Sequence, residues 1–543
     1  MFTPQKLEEI PIVLQKIFSK LEQDIMVDIV RRVAENGQVT RTADYQINRL
    51  HELGVSKRVI KKYIQEALKL SKKEINHIYK DVIRRGYSED ASLYRVTGKP
   101  FVRFENNEEL QQAIRAIKNQ TENKLYNLTN STGFIKNNNG KRVFTPLTQY
   151  YQDVLDKNVS GILNGAIDYN TAIKNTVQEM TKSGLRTIDY ASGKSFRIES
   201  AVRTALMTGV NQIAAKISDE NAEKLGTEYF EVSAHGTARP SHQVWQGRVY
   251  KKEELESVCG LGKVDGLCGA NCRHSYYPFI PGVSIRKYTD EQLEEWANRE
   301  NAPKRYGDKE YTSYEASQEQ RRLERLMRKQ RQDIKLLKEG GANEEDIMTA
   351  ETRYRITSNE YVKFSKTMGL PQQRERVYSD GLKEPSSNEA YKTIEHRANL
   401  YYNGNIQAYL KDETIRKNIR DNVDYNAIHW GKQDKHIKGT NNYIENRSYF
   451  TIDKVEIEKI ALTNKGTGYI FRKNSDNSFN SKEKIVLDRI IGHYIKFNKE
   501  ENRITEEYDT SSIIIRYSKD GIHIVPGGRW EKWHYLKQGK KKK

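Results

Sequence analysis

EVSAHGTARPSHQVWQGRVY at residues 231–250 and CGLGKVDGLCGANCRHSYYPFIPGVS at residues 259–284 form the stretch around which the chain is organised. This central block, residues 231–284, contains all three cysteines of the chain. It also contains three of the eleven histidines (His235, His242 and His274) and three of the eleven prolines. The sequence on both sides has a helical pattern. The block therefore predicts a small, irregular, Cys/His-rich unit between helical regions.

The spacing of the cysteines suggests a metal site. Cys259, Cys268, Cys272 and His274 follow the pattern C-x8-C-x3-C-x-H. Zinc prefers four nitrogen or sulfur ligands in a tetrahedron, and three cysteines with one histidine are a usual set. The pattern predicts a structural zinc, with His235 and His242 also available as ligands. Three buried free thiols are one alternative, and a zinc hydrolase centred on residues 235–274 is another.

Composition points to a polyanionic partner. The 543 residues carry a net charge of +19 and have a pI near 9.3, so nucleic acid is the first candidate. A basic surface that only maintains solubility is the alternative. Three cysteines cannot close a disulfide framework. The first residues have no basic n-region followed by an apolar core, and no stretch approaches the ~20 apolar residues of a membrane span. Neither export by the usual routes nor a membrane partner is therefore expected.

Helical patterns dominate before and after the central block. Leu14, Phe18, Leu21 and Ile25 recur at helical spacing. Residues 130–142, NSTGFIKNNNGKR, predict an exposed loop. Residues 315–339 are rich in good helix formers and end at Gly340-Gly341, which predicts a helical hairpin.

The pattern changes after the linker-like residues 376–395. From about residue 450 the chain has short runs such as GYIFRK, HYIKF, SSIIIRYS and GIHIVPG, separated by turn residues. These runs predict an antiparallel sheet over residues 450–527. The fold class is therefore multidomain: a mainly α N-terminal region with its Cys/His-rich block, then a small α+β domain. The predicted segments are helices over 1–230, the block over 231–284, a hairpin over 285–375, a linker over 376–425, the α+β domain over 426–530 and a basic tail over 531–543.

The central block also carries a family resemblance. Its ARPSH and NCRH segments resemble the signature of phage minor capsid proteins of the head-morphogenesis family, over about residues 1–375. The resemblance implies a few-copy virion component in the capsid interior or portal region, with portal and capsid proteins and packaged DNA as partners. It assigns no catalytic role to the matching residues, which we interpret as structural: Arg239, His242, Asn271, Cys272, Arg273 and His274.

Two histidines near the C-terminus lie among lysines and hydroxyl residues. KQDKHIKGT at 432–440 contains His436, and YSKDGIHIVPGGRW at 517–530 contains His523. Metal-free RNA cleavage needs a general base for the 2′-OH, a general acid for the 5′-oxygen, and donors for the phosphate. His436 and His523 are the candidate acid–base pair, in an order that the sequence leaves open. The candidate phosphate and orienting residues are Lys435, Lys438, Lys519, Thr440 and Ser518.

The same two motifs, KHIKGT and YSKDGIHIVP, resemble the polymorphic toxin type 50 domain over about residues 430–527. The resemblance implies a predicted ribonuclease of the barnase–EndoU–colicin–RelE fold that needs no cofactor. RNA would be its substrate, and a cognate immunity protein is a candidate partner. An ADP-ribosyltransferase is disfavoured because the E-x-E at residues 456–458 lacks the strands that should precede it.

The sequence thus predicts a phage minor capsid protein that carries a C-terminal ribonuclease toxin. The virion and, during assembly and after delivery, the host cytoplasm are the expected locations. The alternative is a purely structural head protein whose C-terminal domain only binds nucleic acid. His429 is expected to be uninvolved and to serve as the control in histidine substitutions.

Overall fold

A computed structural model describes residues 4–36, 42–138, 140–163, 167–189, 191–270 and 272–529. The chain divides into two compact units. The N-terminal unit contains residues 1–163, 172–342 and 353–385, and the C-terminal unit contains residues 164–171, 343–352 and 386–543. The predicted segments 1–230, 231–284 and 285–375 therefore share one unit, apart from two short pieces. Among the described residues, no helix has the length and apolar character needed to cross a membrane.

The N-terminal unit is mainly helical. Its helices are α1 (Pro4–Glu9), α2 (Ile12–Asn36), α3 (Thr42–Thr97), α4 (Glu108–Asn130), α5 (Leu147–Leu163), α6 (Tyr169–Ser183), α7 (Ile198–Leu225), α8 (Pro240–Gln243), α9 (Lys252–Ser257), α10 (Asp290–Asn301), α11 (Ser313–Glu339), α12 (Glu344–Met368) and α13 (Arg374–Val377). Its strands are β1 (Thr132–Asn138), β2 (Lys141–Pro146), β3 (Arg186–Ile188), β4 (Ser195–Arg197), β5 (Tyr229–Val232), β6 (Val249–Lys251), β7 (Tyr276–Phe279), β8 (Lys304–Tyr306) and β9 (Lys309–Tyr311).

Helix α7 lies at the centre of this unit and packs against α2, α3 and α4. It ends at Gly226, whose left-handed φ of 66° suits a residue without a Cβ. Helix α11 begins at a capping box in which Thr312 and Glu315 satisfy each other's backbone N–H groups. Helices α11 and α12 run antiparallel, since Gln320 bonds Ser365 near one end and Gln330 bonds Arg353 near the other.

The predicted loop over 130–142 is wrong. Strands β1 and β2 form an antiparallel hairpin there, from Gly133↔Pro146 to Asn138↔Lys141, within a small four-stranded sheet of order β2-β1-β3-β4. Phe134 is fully buried against Tyr150, with ring centroids 4.5 Å apart. The run of asparagines concealed this strand, because its two large apolar side chains, Phe134 and Ile135, are adjacent and supply no visible alternation.

The central block is more regular than predicted. It contains a three-stranded antiparallel sheet of order β6-β5-β7, with α8 and α9 between its strands in sequence. Phe230, Val232 and Tyr276 of this sheet pack with Trp245 and Leu255 in one buried cluster. The β5–β7 pairing brings the HGTARPSH segment beside the CRHS segment, because each directly adjoins one of these two strands.

The C-terminal unit is α+β. Its helices are α14 (Asn388–Tyr402), α15 (Ile406–Lys411), α16 (Glu413–Asp421), α17 (Trp430–Gln433) and α18 (Lys454–Asn464). Its strands are β10 (Tyr449–Phe450), β11 (Tyr469–Arg472), β12 (Phe479–Val486), β13 (Gly492–Asn498), β14 (Arg503–Thr510), β15 (Ser512–Ser518) and β16 (Gly521–Pro526). The strands form two antiparallel sheets, of orders β11-β12-β15-β16 and β10-β13-β14, where the sequence predicted one.

The predicted linker over 376–425 is also wrong. Helices α14 to α16 occupy most of it and belong to the C-terminal unit. Helix α14 buries Ala390, Ile394, Ala398 and Tyr401, which recur every three or four residues. This stripe is hidden in sequence because two of its members are alanines, and the connection itself is short, at Pro385–Ser387.

Candidate functional site

The segment that carries His436 is fastened to the open edge of strand β16. Gln433 is fully buried, and its side-chain amide bonds both backbone groups of Ile524: Nε2 donates to the carbonyl at 3.1 Å, and Oε1 accepts from the N–H at 2.8 Å. The His429 N–H donates to the Ile522 carbonyl at 2.8 Å. One side chain thus replaces a neighbouring strand and holds residues 429–436 beside His523.

His436 ends a 3₁₀ turn over Asp434–His436 and is buried. Its Nδ1 lies 2.7 Å from the Ser448 carbonyl, which only accepts, so Nδ1 carries a proton and Nε2 is the free acid–base atom. Burial lowers the pKa of His436, and the cations of Arg447 and Arg516 act in the same direction. The hydrogen bond to Ser448 raises this pKa in opposition.

His523 lies on β16, directly across from Arg516 on β15. Burial lowers the pKa of His523 to about 4, with further contributions from Arg516 and His436. His523 Nδ1 is buried and has no hydrogen-bond partner among the described residues. The two histidines are near enough for one charge to act on the other, and cations surround both. Such a locus suits a phosphate group.

The other predicted residues divide into two groups. The charge of half-buried Lys435 acts on His436, whereas Lys438 lies 3.6 Å over the Tyr449 ring and Lys519 is exposed in the β15–β16 turn. Thr440 Oγ1 donates to the Asp434 carbonyl at 2.7 Å, and Ser518 Oγ donates to the Gly521 carbonyl at 2.7 Å. Both hydroxyls therefore stabilise turns in this structure.

Three cationic or titratable neighbours of His523 were not predicted from the sequence. Arg516, Lys432 and His429 all lower its pKa. The strand pattern of SSIIIRYS could have indicated Arg516. Successive residues of a strand lie on opposite faces, so Arg516 lies opposite its buried neighbours and on the same face as its cross-strand partner His523. His429 is a neighbour of the site, so its predicted use as an uninvolved control is corrected. His396, exposed on α14, is the better control.

A second group of reactive side chains lies in the N-terminal unit. His242 Nδ1 and His274 Nδ1 are 3.4 Å apart, and Cys272 Sγ lies 3.8 Å from the first and 3.4 Å from the second. All three residues are buried, and their ligand atoms lie close enough together to hold a metal ion. We call His242, Cys272 and His274 the His/Cys/His cluster.

This cluster differs from the predicted zinc ligands. Cys259 packs in the apolar cluster with Leu255 and Leu267, and burial raises the pKa of its thiol to about 12. Cys268 Sγ faces the His274 carbonyl at 3.6 Å instead. The fold replaces both with His242, 30 residues before Cys272, and places His235 in a stack on His274 with centroids 4.4 Å apart. Asn271 lies outside the described residues.

The cluster lines a pocket of about 290 Å³ that is rich in arginine. Seven arginines and three glutamates line it. Burial alone would raise the pKa of Glu8 in this pocket, but Arg273, Arg321 and Arg376 lower it to about 2. The Arg203 side chain makes no hydrogen bond and no ion pair with another described residue, and burial and the neighbouring arginines lower its pKa.

Comparison with known proteins places these features in families. A family model described as phage minor capsid protein 2 matches residues 2–364. The chain belongs to this family. A "Structural protein" of Lactococcus phage LL-H is 23% identical over 332 residues, which cover 54% of this chain and 86% of that protein. These matches confirm the first resemblance found in the sequence.

A second family model, bacterial toxin 50, matches residues 428–526 and confirms the toxin-domain resemblance. The match begins beside His429 and ends at the last residue of β16, so it encloses His436 and His523. No solved structure matches the chain significantly. The multidomain fold class is confirmed, with a mainly helical N-terminal region and an α+β C-terminal region, while the barnase–EndoU–colicin–RelE assignment stays an expectation.

Proposed function

We propose that the C-terminal unit is a toxin that cleaves RNA without a metal. The observation that carries this proposal is the pair His436 and His523, which the fold holds beside Arg516 although 86 residues separate them in sequence. The two imidazoles can serve as the acid and the base of a transesterification. The neighbouring cations can stabilise the charge that develops on the phosphate.

His523 is the proposed general base. Its pKa of about 4 keeps it neutral at physiological pH, so it accepts the proton of the ribose 2′-OH. The 2′-oxygen then bonds to phosphorus and the bond to the 5′-oxygen breaks. His436 is the proposed general acid, because its hydrogen bond to the Ser448 carbonyl favours the protonated ring. The products are a 2′,3′-cyclic phosphate and a 5′-hydroxyl.

Arg516 and Lys435 are the proposed phosphate ligands, since the charge of each acts on His436 and that of Arg516 also acts on His523. Lys438 and Lys519 extend the basic surface outward. An approaching phosphate raises the pKa of both histidines, because its negative charge favours their protonated forms. Substrate binding thus helps His436 to acquire the proton that it later donates.

A bridging 5′-sulfur substrate separates the two roles. A thiolate leaves without protonation, so His436→Ala should recover most of its lost rate on this substrate, and His523→Ala should not. Recovery by His523→Ala alone would reverse the assignment. Recovery by neither variant, with both folded, would oppose an acid–base pair at this position.

Binding without cleavage is the second candidate. The hydroxyls of Thr440 and Ser518 favour it, because both already donate to backbone carbonyls and give no donor to a transition state. A gel-shift assay on the RNA used for the cleavage assay distinguishes cleavage from binding alone. A retarded but intact RNA supports binding alone.

For the N-terminal unit we propose the role that its family implies. The chain would be a virion component in the portal region or capsid interior, in contact with portal and capsid proteins and packaged DNA, and would pass through the host cytoplasm during assembly. The excess of arginine and lysine is compatible with DNA contact. Mass spectrometry of purified particles tests this role, and absence of the chain from particles would contradict it.

A further inference from the structure

The ligand atoms of the His/Cys/His cluster have the dimensions of a zinc site. With Zn–N bonds of about 2.05 Å and a Zn–S bond of about 2.3 Å, a tetrahedral ion requires N···N near ~3.4 Å and N···S near ~3.6 Å. The two Nδ1 atoms are 3.4 Å apart, and the Sγ–Nδ1 distances are 3.8 and 3.4 Å. Each edge of the triangle agrees within about 0.2 Å of what the ion requires.

The outer nitrogens of both rings fix the protonation that a metal needs. His242 Nε2 lies 2.7 Å from the Asp265 carbonyl, which only accepts. His274 Nε2 lies 2.9 Å from Gln246 Oε1, and the His235 N–H donates to the same oxygen, which identifies it as the acceptor end of the amide. Both Nε2 atoms therefore carry protons, and each neutral ring presents an Nδ1 lone pair.

Two lone pairs thus face each other across 3.4 Å inside the protein. The Cys272 thiol has one proton and can satisfy only one of them. The His274 backbone N–H donates to Cys272 Sγ at 3.4 Å, an arrangement that stabilises a thiolate. A cation at the centre of the triangle satisfies all three atoms at once.

We propose that His242 Nδ1, Cys272 Sγ and His274 Nδ1 bind one Zn²⁺ whose fourth position opens into the arginine-rich pocket. Imidazole and thiolate together favour zinc over magnesium or calcium. No fourth His, Cys, Asp or Glu joins these ligand atoms among the described residues. Three protein ligands with one open position characterise zinc sites that bind a water or an exchangeable ligand.

The pocket identifies the class of that exchangeable ligand as phosphate. Its lining has four more arginines than glutamates, and the Glu8 carboxylate already pairs with Arg273, Arg321 and Arg376. Arg203 also lines the pocket, and its guanidinium has neither a hydrogen bond nor an ion pair with a described residue. A phosphate with one oxygen on the metal would give Arg203 a charge-assisted partner.

The metal is tested on the full chain. Purified protein should contain about one zinc per chain, and the cobalt-substituted protein should show tetrahedral ligand-field bands with a thiolate charge-transfer band. Cys272→Ser should abolish the charge-transfer band, while the matched Cys259→Ser should retain it, since Cys259 lies outside the cluster. A protein that takes up neither metal, or a cobalt spectrum unchanged in Cys272→Ser, would overturn the site.

Alkylation of the unsubstituted chain tests the same site without a variant, so the result does not depend on whether Cys272→Ser folds. Cys272 should resist iodoacetamide in the zinc-loaded protein and react after a chelator removes the metal. Equal reactivity in both states would overturn the proposal.

Inorganic phosphate tests the ligand: it should shift the cobalt bands, and Arg203→Gln should weaken that shift at least several-fold without changing metal content. Bands that phosphate leaves unchanged would refute the phosphate assignment.

Discussion

Two imidazoles with lowered pKa values are the residues on which the proposed RNA cleavage depends. His436 and His523 are both neutral in the free protein at pH 7, and Arg516 is the cation common to their surroundings. His523 Nδ1 is buried with no hydrogen-bond partner among the described residues, a costly state for a polar atom unless water or a ligand satisfies it.

Removal of either imidazole should nearly eliminate RNA cleavage. His436→Ala and His523→Ala should each lower kcat/KM by about 10²–10⁴-fold, the usual effect of losing a general acid or base. His396→Ala is the control, since His396 is exposed on α14 and is not among the groups that shift the pKa of either ring. Steady-state kinetics with unchanged thermal melting is the measurement, and wild-type rates in both variants would remove the pair from the mechanism.

The pH dependence follows from the same shifts. In the free protein the base must be neutral and the acid protonated, and both pKa values lie below 6.5, with His523 at about 4. The optimum of kcat/KM should therefore fall between about pH 4 and 6.5. An optimum above pH 7 would contradict these assignments.

The sign for stability is also determined. The unfolded chain binds a proton at His523 near pH 6.5, whereas the folded chain does so only near 4. The unfolded state thus binds more protons within that window. The contribution of His523 to the free energy of unfolding is therefore complete above pH 6.5 and declines as the pH falls towards 4. Chemical denaturation of the wild type and of His523→Ala at several pH values measures this decline.

At the scale of elements, Gln433 holds the site together. It is fully buried and joins the α17 segment to strand β16 through two hydrogen bonds to Ile524. The strand edge would otherwise leave a backbone donor and acceptor exposed or unsatisfied. The position of the His436 ring relative to His523 therefore depends on Gln433, although this side chain has no proposed role in phosphate binding or proton transfer.

Gln433→Met keeps the length of this side chain and removes both hydrogen bonds. We expect it to lower the free energy of unfolding by about 2–4 kcal/mol, because two buried backbone groups lose their partners. It should also lower kcat more than it changes KM. Gln407→Met, at an exposed position on α15, is the matched control. Urea denaturation with kinetics measures both effects, and a Gln433→Met variant as stable and active as wild type would refute the positioning role.

The elements differ in how well sequence predicts them. Strands β11, β13, β15 and β16 were predictable because each is a short run rich in Ile, Tyr or Phe between turn residues, whereas the charged residues of β12 and β14 concealed those two strands. The linker failed because the stripe on α14 uses alanines at Ala390 and Ala398. The His/Cys/His cluster could not be predicted from spacing, which favours residues near one another in sequence, because His242 reaches Cys272 only through the pairing of β5 with β7. His436 and His523 stay predicted site residues that their lysine-containing segments indicated, whereas Arg516 and Gln433 reach their positions through strand register and edge geometry.

At the scale of the whole molecule, the division into units determines which fragment can fold. The C-terminal unit begins at residue 386 in its last segment and not at 426. Arg416 of α16 is fully buried, its guanidinium lies 3.6 Å over the Tyr409 ring, and its Nε bonds Glu413 at 3.1 Å. Ile419 of the same helix lies in the core with Ile457 and Ile515.

A fragment of residues 386–543 should therefore be more stable than one of residues 426–543. The shorter fragment loses Ile419 from the core, and deletion of a large buried aliphatic side chain alone costs about 2–5 kcal/mol. Thermal melting of the two fragments is the measurement. Equal melting temperatures would mean that α14 to α16 contribute nothing to the toxin fold.

Metal-independent transesterification by His436 and His523 would leave a characteristic terminus on the cleaved RNA. The most direct test incubates the full chain with a 5′-labelled RNA oligonucleotide in excess EDTA and identifies the new termini by mass spectrometry. We expect fragments that end in 2′,3′-cyclic phosphate, formed by the wild type and by His396→Ala but not by the His436→Ala/His523→Ala double variant. Intact RNA with the wild type, or the same fragments from a folded double variant, would contradict it.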